Sequence, residues 1–535
     1  MRRWNGWGEE TTVFELPSNA AGFLREKIGD GRHLPEATLA SVLARVPASR
    51  LEENPLYSID RQDRLLHARG QSLSDWLAMR EGMFGVFPDA VAFPETPEQI
   101  RTLLQLAKAR DLLLIPYGGG TSVAGHINPP PLDRPVLTVS LARMNRLLDL
   151  DTESQIATFG PGANGPQIEN QLRARGYTLG HFPQSWELST LGGWVASRSS
   201  GQQSLRYGRI EQLFAGGRLE TFAGTLNLPC FPASAAGPDL REMVLGSEGR
   251  FGIISEVKVR VTPLAASERF YVVFMPSWDS AMSATRQLVQ ARIPLSMLRL
   301  SSAEETETQL ALVGHPGQIK WLERYLGWRG AGAGKCMLTF GITGNARQNA
   351  ASLRQARHVL GRAGGVFTGA LLGKKWEEHR FRSPYFREGL WRLGYVVDTL
   401  ETATDWSNVN ALLGKIEHNL SGGLQADGEK VHVFTHLSHV YGQGSSIYIT
   451  YIFRLAATYA KTHEYWRRLK STTSQLIVEN GGTISHQHGV GKDHAPYLPI
   501  EKGPLAIQAL TALSRHFDPE GRLNPATLLQ EGANG

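Results

Sequence analysis

Three groups of residues in this chain have the types and spacing to do chemistry. The first is a turn of bare amides. Pro116-Tyr117-Gly118-Gly119-Gly120-Thr121-Ser122 follows the apolar run Leu112 to Ile115, which reads as a short buried strand ended by Pro116. Glycine tolerates positive φ and lets another group approach the backbone closely. Successive amides in such a turn form an anion-binding nest, and the Thr121 and Ser122 hydroxyls add donors. A pyrophosphate is the natural guest; a plain glycine turn is the alternative. Ser189-Thr190-Leu191-Gly192-Gly193 and Gly246-Ser247-Glu248-Gly249-Arg250-Phe251-Gly252 are two further small-residue segments. One long, phosphate-bearing cofactor explains the three together better than three unrelated corners do.

The second group is His486, His488 and His494. Histidines at i and i+2 share one face of a strand. No acidic pair lies nearby in sequence, so an acid/base pair or a contact to an anionic substrate is preferred, and no metal is expected. The third group is Tyr441, in Ser438-His439-Val440-Tyr441-Gly442, with Arg387; alone, Tyr441 reads as packing rather than catalysis and Arg387 as part of a solvated face. Two patterns fail. The fingerprint GxGxxG is absent after the first strand, and Gly330-Ala331-Gly332-Ala333-Gly334-Lys335-Cys336 imitates a phosphate loop with Arg329 and Cys336 at two required positions.

The elements that must position these groups form an α+β pattern. Ala90 to Phe93 reads as a strand, and Thr96-Pro97-Glu98-Gln99 opens a helix with Thr96 as N-cap and Gln99 closing a capping box. Ile100, Leu103, Leu104 and Ala107 give that helix one apolar face. Val136 to Val139, Ile156 to Phe159 and Ile253 to Val261 read as strands, with a helix over Gly165 to Arg175. Beyond Pro263, strands at Phe270 to Met275, Met337 to Ile342 and Ser446 to Phe453 alternate with helices at Asp279 to Ala291, Asn345 to Arg362 and Glu464 to Asn480. This divides the chain into a helical extension (1–82), a section of two α/β subdomains that carries the glycine turns (83–264), an α+β substrate or cap domain (265–480) and a C-terminal segment closing on the site (481–535).

With 535 residues, 41% of them hydrophobic, the chain can bury a large core. Its net charge of +6 is mild for this length and no basic run argues for nucleic acid. Two cysteines indicate neither a disulfide framework nor a thiolate metal site. No secretory signal, peroxisomal address or apolar run long enough to span a bilayer is present, so cytoplasm is the expected compartment.

PYGGGTS, QSWELST, GSEGRFGII and SHQHGVGK together resemble the FAD-binding family that includes vanillyl-alcohol oxidase, and within it the alkyldihydroxyacetonephosphate synthases. The likeness covers nearly the whole chain, from Trp4-Asn5-Gly6-Trp7-Gly8 through Arg80-Glu81-Gly82-Met83-Phe84 to the histidine motif. It implies that Pro116, Tyr117, Gly118, Gly119, Gly120, Thr121 and Ser122 wrap the FAD pyrophosphate. It places Gln184, Ser185, Trp186, Glu187, Leu188, Ser189 and Thr190, Ser197, Arg198, Ser199 and Ser200, and Glu248, Gly249, Arg250, Phe251, Gly252, Ile253 and Ile254 around the flavin. The family's substrate-binding arginine falls on Arg387 and its catalytic tyrosine on Tyr441, beside His486 and His488.

The implied reaction exchanges the acyl group of an acyl-dihydroxyacetone phosphate for a long-chain alcohol through a flavin adduct, with no net redox change. A tyrosine whose pKa is lowered beside an arginine can take a proton, and a guanidinium can hold phosphate. No His or Cys in the glycine turn resembles a flavin attachment point, so noncovalent FAD is expected. The synthases carry three successive histidines where this chain has His486-Gln487-His488, and glutamine cannot shuttle a proton at neutral pH. An FAD-linked D-2-hydroxy acid dehydrogenase or oxidase is therefore the rival reading. The resemblance also suggests a homodimer, a small anionic or lipid-like substrate and peripheral membrane contact.

Overall fold

The computed structural model describes residues 2–313 and 316–530. Thr96 caps helix Pro97–Ala109 by accepting from the Gln99 amide. The expected box closes one residue early, because the Gln99 side chain accepts from the Glu95 amide instead. The helix's buried face packs on a three-stranded parallel sheet ordered Ala90–Ala92, Val136–Ser140, Leu113–Tyr117. The last strand does not stop at Pro116: it runs to Tyr117, with Pro116 paired to Val139. Proline is tolerated there because the strand lies at the sheet's edge. The free side of that edge is partly taken by the C-terminal segment, where the Leu114 amide donates to Arg522 O and Leu114 O accepts from the Asn524 amide.

A five-stranded antiparallel sheet follows, ordered Leu147–Asp151, Ile156–Phe159, Ile253–Arg260, Phe214–Thr221, Gly224–Leu228. Ile253, Ser255, Val257 and Val259 alternate inward along its central strand, as their spacing requires. The second half of the chain builds a seven-stranded antiparallel sheet. Its order is Val366–Phe367, Ser267–Met275, Cys336–Gly344, Met297–Ser301, His432–Leu437, Gly444–Arg454, Tyr395–Asp405. Three of these strands are visible in the sequence pattern; the other four are not.

The first 82 residues do not stand apart, since Trp7, Val42, Leu73 and Trp76 share one apolar core with the seven-stranded sheet. The chain after helix Tyr459–Glu479 crosses back the other way. Leu498, Phe517 and Leu528 join the core of the five-stranded sheet. The imitation phosphate loop joins helix Pro316–Trp328 to strand Cys336–Gly344, the reverse of a strand–loop–helix order. A Cβ at Gly330, Gly332 or Gly334 would meet nothing within 4 Å.

Candidate active site

The turn Gly118–Gly120 is glycine because another loop lies against it. A Cβ on Gly119 would sit 1.9 Å from Leu188 O, and one on Gly118 2.4 Å from Thr190 Oγ1. Only Gly120 needs positive φ. Among the described residues, the amides of Gly118 to Ser122 donate to no protein acceptor. That leaves a row of bare donors facing one cavity of about 1100 Å³.

Pro116, Tyr117, Gly118, Gly119, Gly120, Thr121, Ser122, Gln184, Ser185, Ser189, Thr190, Ser197, Ser199, Glu248, Gly249, Gly252 and Ile254 line this cavity. The other residues that the sequence places at the flavin do not reach it. Trp186 stacks on Phe381 with centroids 4.8 Å apart, and Glu187 accepts from the Tyr385 hydroxyl at 2.8 Å. Arg198 pairs with Glu242, and Arg250 donates to Leu523 O. Leu188, Phe251 and Ile253 pack into cores, and Ser200 is buried. These eight shape the loops rather than the cavity wall.

Glu248 is what joins the glycine-rich loops to the histidine motif. Its carboxylate accepts from the Val490 and Gly491 amides and faces His126 Nε2 at 3.2 Å, while its carbonyl accepts from Asn524 Nδ2. Burial disfavours a charge on His126, but Glu248 outweighs it and raises the imidazole pKa. A side chain at Gly489 would strike both members of this pair. His126, whose Nδ1 lies 2.5 Å from Ser122 Oγ, is a cavity residue that the sequence reading missed.

The residues expected to be catalytic are arranged differently from that expectation. His488 and Gln487 line the cavity; Tyr441 and His486 do not. Tyr441 lies behind the wall with its hydroxyl 2.6 Å from His486 Nε2. Its arginine neighbour is Arg209, which donates to the Tyr441 oxygen at 3.0 Å, not Arg387. Nor is the Tyr441 pKa lowered: burial raises it against the opposing pull of Arg209. Arg209 Nη1 also lies 2.5 Å from His486 Nε2. A guanidinium can only donate, so Nε2 must accept and the His486 proton sits on Nδ1, 3.0 Å from Glu401 Oε1. Burial, then Arg209, holds the His486 pKa well below its usual value, so the ring is neutral. His488 Nε2 approaches the other Glu401 oxygen at 3.5 Å.

His494 takes no part in this group, since its Nδ1 donates to Gly489 O at 3.0 Å. The ligand atoms that do converge, within 4.8 Å, belong to Glu401, His439 and His486. With the His486 Nδ1 proton aimed at Glu401, they form a hydrogen-bonded set rather than a set of free lone pairs.

The tyrosine that strand Gly444–Arg454 places on the cavity wall is Tyr448. Its ring stacks on His436 at 4.7 Å and meets His488 edge-on at 5.8 Å; burial, then Glu401, raises its pKa. Only the burial pattern of strand Gly444–Arg454 could have separated it from Tyr441. Arg387 does line the cavity. It sits over the Trp76 ring, donates to Gln71 O and Val397 O, and lies 3.8 Å from Asp398; burial lowers its pKa. Arg380, also on the wall, stacks against Phe182 and Phe381. Away from these polar groups the cavity becomes apolar, lined by Val272, Phe274, Leu310, Ile319, Leu322 and Met337.

Residues 88–226 match the family model "FAD binding domain", and residues 264–528 match "FAD linked oxidases, C-terminal domain". The chain is 29% identical to alkyldihydroxyacetonephosphate synthase of Dictyostelium discoideum, over 98% of this chain and 93% of that protein. It is 24% identical to the glycolate oxidase subunit GlcD of Bacillus subtilis strain 168, over 83% and 90%. A solved alkyldihydroxyacetonephosphate synthase structure, 26% identical, superposes with a TM-score of 0.83 and 98% coverage of both chains. The free amides of the glycine cradle and the elongated cavity are compatible with the cofactor those matches imply. The chain is an enzyme of the FAD-binding, FAD-linked oxidase family to which vanillyl-alcohol oxidase belongs.

Proposed function

We propose that this protein binds FAD noncovalently and exchanges the acyl group of an acylated dihydroxyacetone phosphate for a long-chain alcohol. The observation that carries this reading is the continuity of one cavity from the bare amides of Gly118–Ser122, past Arg387 and His488, into an apolar lobe. A small hydroxy acid has no use for that lobe, whereas an acyl or alkyl chain gains about 25 cal/mol for every Å² of apolar surface it buries there.

Gly118 to Ser122 would hold the FAD pyrophosphate by their amides. When bound, FAD supplies the electron-accepting ring at which the reaction takes place. Arg387 would hold the phosphate of the substrate, and Tyr448 with His488 would move the proton at the reacting carbon. The apolar lobe also has a route to lipid. Helix Pro316–Trp328 turns Ile319 and Leu322 to the cavity and leaves Trp321 72% and Trp328 81% exposed. Arg324 and Arg329 stack on Trp321 and Tyr325. Aromatic and basic residues on one outer face suit the headgroup region of a bilayer, and no described helix is long and apolar enough to cross one.

A second reading, oxidation of a D-2-hydroxy acid, draws on Arg380, which could hold a carboxylate. One preparation separates the two. The purified protein is expected to show the visible absorption of bound FAD, released intact by denaturation. Transfer of labelled hexadecanol into palmitoyl-dihydroxyacetone phosphate without anaerobic bleaching supports exchange. Bleaching by D-2-hydroxy acids, with no transfer, replaces that reading by the second.

A further inference from the structure

Arg380 stands on the cavity wall as a cation without a counter-charge. It follows helix Leu371–His379, whose Leu371 and Leu372 line the apolar lobe. Its guanidinium lies 4.8 Å from the ring centroids of Phe182 and Phe381 and 5.6 Å from that of Phe270. Phe270 belongs to strand Ser267–Met275, which also brings Val272 and Phe274 to the lobe. Phe182 comes from the FAD-binding half, so Arg380 sits where the lobe meets that half. The polar contacts made there are neutral. Arg380 Nη1 donates to Gln203 Oε1 at 3.3 Å, and Gln202 Nε2 donates to Arg380 O at 3.1 Å. Among the described residues no carboxylate lies within 4.0 Å of the guanidinium. Glu268 and Glu377 favour its charge from beyond that distance, yet burial outweighs them and lowers the Arg380 pKa. Glu268 is itself held by Gln203 Nε2 at 2.6 Å and Thr343 Oγ1 at 2.8 Å. An arginine carries five N–H donors, and most of these have no protein acceptor.

The exchange reaction produces an anion that suits this place. The bond between the reacting carbon and the ester oxygen breaks, and the fatty acid departs as a carboxylate with the bonding pair. The oxygen of the alcohol bonds to that carbon, and its proton is released. Atoms and charge balance, and there is no net redox change. We propose that Arg380 binds the carboxylate of the departing fatty acid, an inference that rests on the exchange reading. With Arg387 on the phosphate, each anionic group then has its own guanidinium. The phosphate stays with the fragment that is kept; the carboxylate leaves with the chain lying in the lobe. A forked guanidinium can take both carboxylate oxygens at once, and a half-buried site strengthens the pair as charge develops on the leaving oxygen. The neutral amides of Gln202 and Gln203 fix Arg380 without cancelling the charge it offers.

The test uses FAD-loaded protein and calorimetric titration with three probes. Octanoate carries the carboxylate, octan-1-ol the same length of chain without it, and dihydroxyacetone phosphate the phosphate. Arg380→Gln should weaken octanoate about 30-fold and leave the other two within about twofold of wild type. Arg387→Gln should instead weaken dihydroxyacetone phosphate. Unchanged octanoate binding by Arg380→Gln, or a larger loss for dihydroxyacetone phosphate than for octanoate, overturns the assignment. If Arg380→Gln does not fold, Arg380→Lys decides. It keeps a charge but loses the planar fork and the ring stacking, and should weaken octanoate about fivefold; no loss overturns the assignment. The functional reading fails separately. If wild type transfers labelled hexadecanol while Arg380→Gln binds octanoate as wild type does, the exchange stands and the carboxylate site falls. A wild type that transfers no alcohol overturns both.

Discussion

Two clusters in this molecule are built from the same three residue types and are wired in opposite ways. In one, Arg209 and Glu401 hold His486 from opposite sides, the guanidinium at Nε2 and the carboxylate at Nδ1. In the other, Arg299 and Glu305 hold each other at 2.6 Å, and His436 Nδ1 adds itself to the same carboxylate oxygen at 3.0 Å. An arginine that meets its carboxylate directly neutralises it. An arginine that meets it across an imidazole leaves the ring polarised along the line joining them. The first arrangement holds a neutral imidazole in one tautomer beside the carboxylate that faces His488; the second anchors strand Met297–Ser301 to strand His432–Leu437 where both line the cavity.

The same substitution should therefore do different things in the two places. Glu401→Gln removes the charge that faces His488 and is expected to cost about 100-fold in kcat with FAD still bound, measured by steady-state turnover against flavin absorbance. Glu305→Gln leaves Arg299 largely buried without its partner and should cost about 3–5 kcal/mol of stability, read from denaturant unfolding, with a much smaller effect on kcat. Equal kinetic losses in both variants would erase the distinction.

Acid provides a finer test. Burial opposes the Glu305 charge, but His436 and Arg299 hold the carboxyl down at about 2, against an ordinary 4.5. A carboxyl depressed in the folded state stabilises above its unfolded pKa, and that contribution fades as pH falls from 4.5 towards 2. The wild-type unfolding free energy should decline over that window, and Glu305→Gln should flatten the decline. The smallest expected effect is Arg209→Lys, which keeps the charge but cannot make the forked contacts to His486 and Tyr441. Roughly a tenfold loss in kcat is expected, with unchanged unfolding; loss of fold instead would make Arg209 structural.

The fold of the FAD-binding half was legible because its signals are local. Thr96, Pro97 and the spacing from Ile100 to Ala107 lie within one helix, and the alternation from Ile253 lies within one strand. Strand Tyr395–Asp405 was hidden because it is buried on both faces over much of its length and carries Asp398, Glu401 and Thr402 inward, so neither alternation nor apolarity announces it. Glycine composition alone could not tell two loops apart. Gly118 and Gly119 are pressed by Thr190 and Leu188 from 69 or more residues away, while Gly330, Gly332 and Gly334 face open space. The site was harder still. Tyr441 and Tyr448 stand seven residues apart around a turn, and what separates them is which one the seven-stranded sheet turns to the cavity. Arg209, His126 and Arg380 carry no motif and gain meaning only when distant segments meet. The outer face of helix Pro316–Trp328 escaped notice for the same reason: Trp321, Tyr325 and Trp328 read as core until Ile319, Leu322 and Leu326 take that place.

The pairing of Leu523 with Leu114, and of Glu248 with the Val490 and Gly491 amides, has a consequence for the order in which the protein is made. The glycine cradle emerges from the ribosome early, but one wall of its pocket is encoded almost four hundred residues later. During synthesis the cradle stands open, able to touch a nucleotide but not to enclose it. A cofactor held by this cradle, as proposed, would therefore be enclosed only after the C-terminal segment has been made and has reached Leu114 and Glu248.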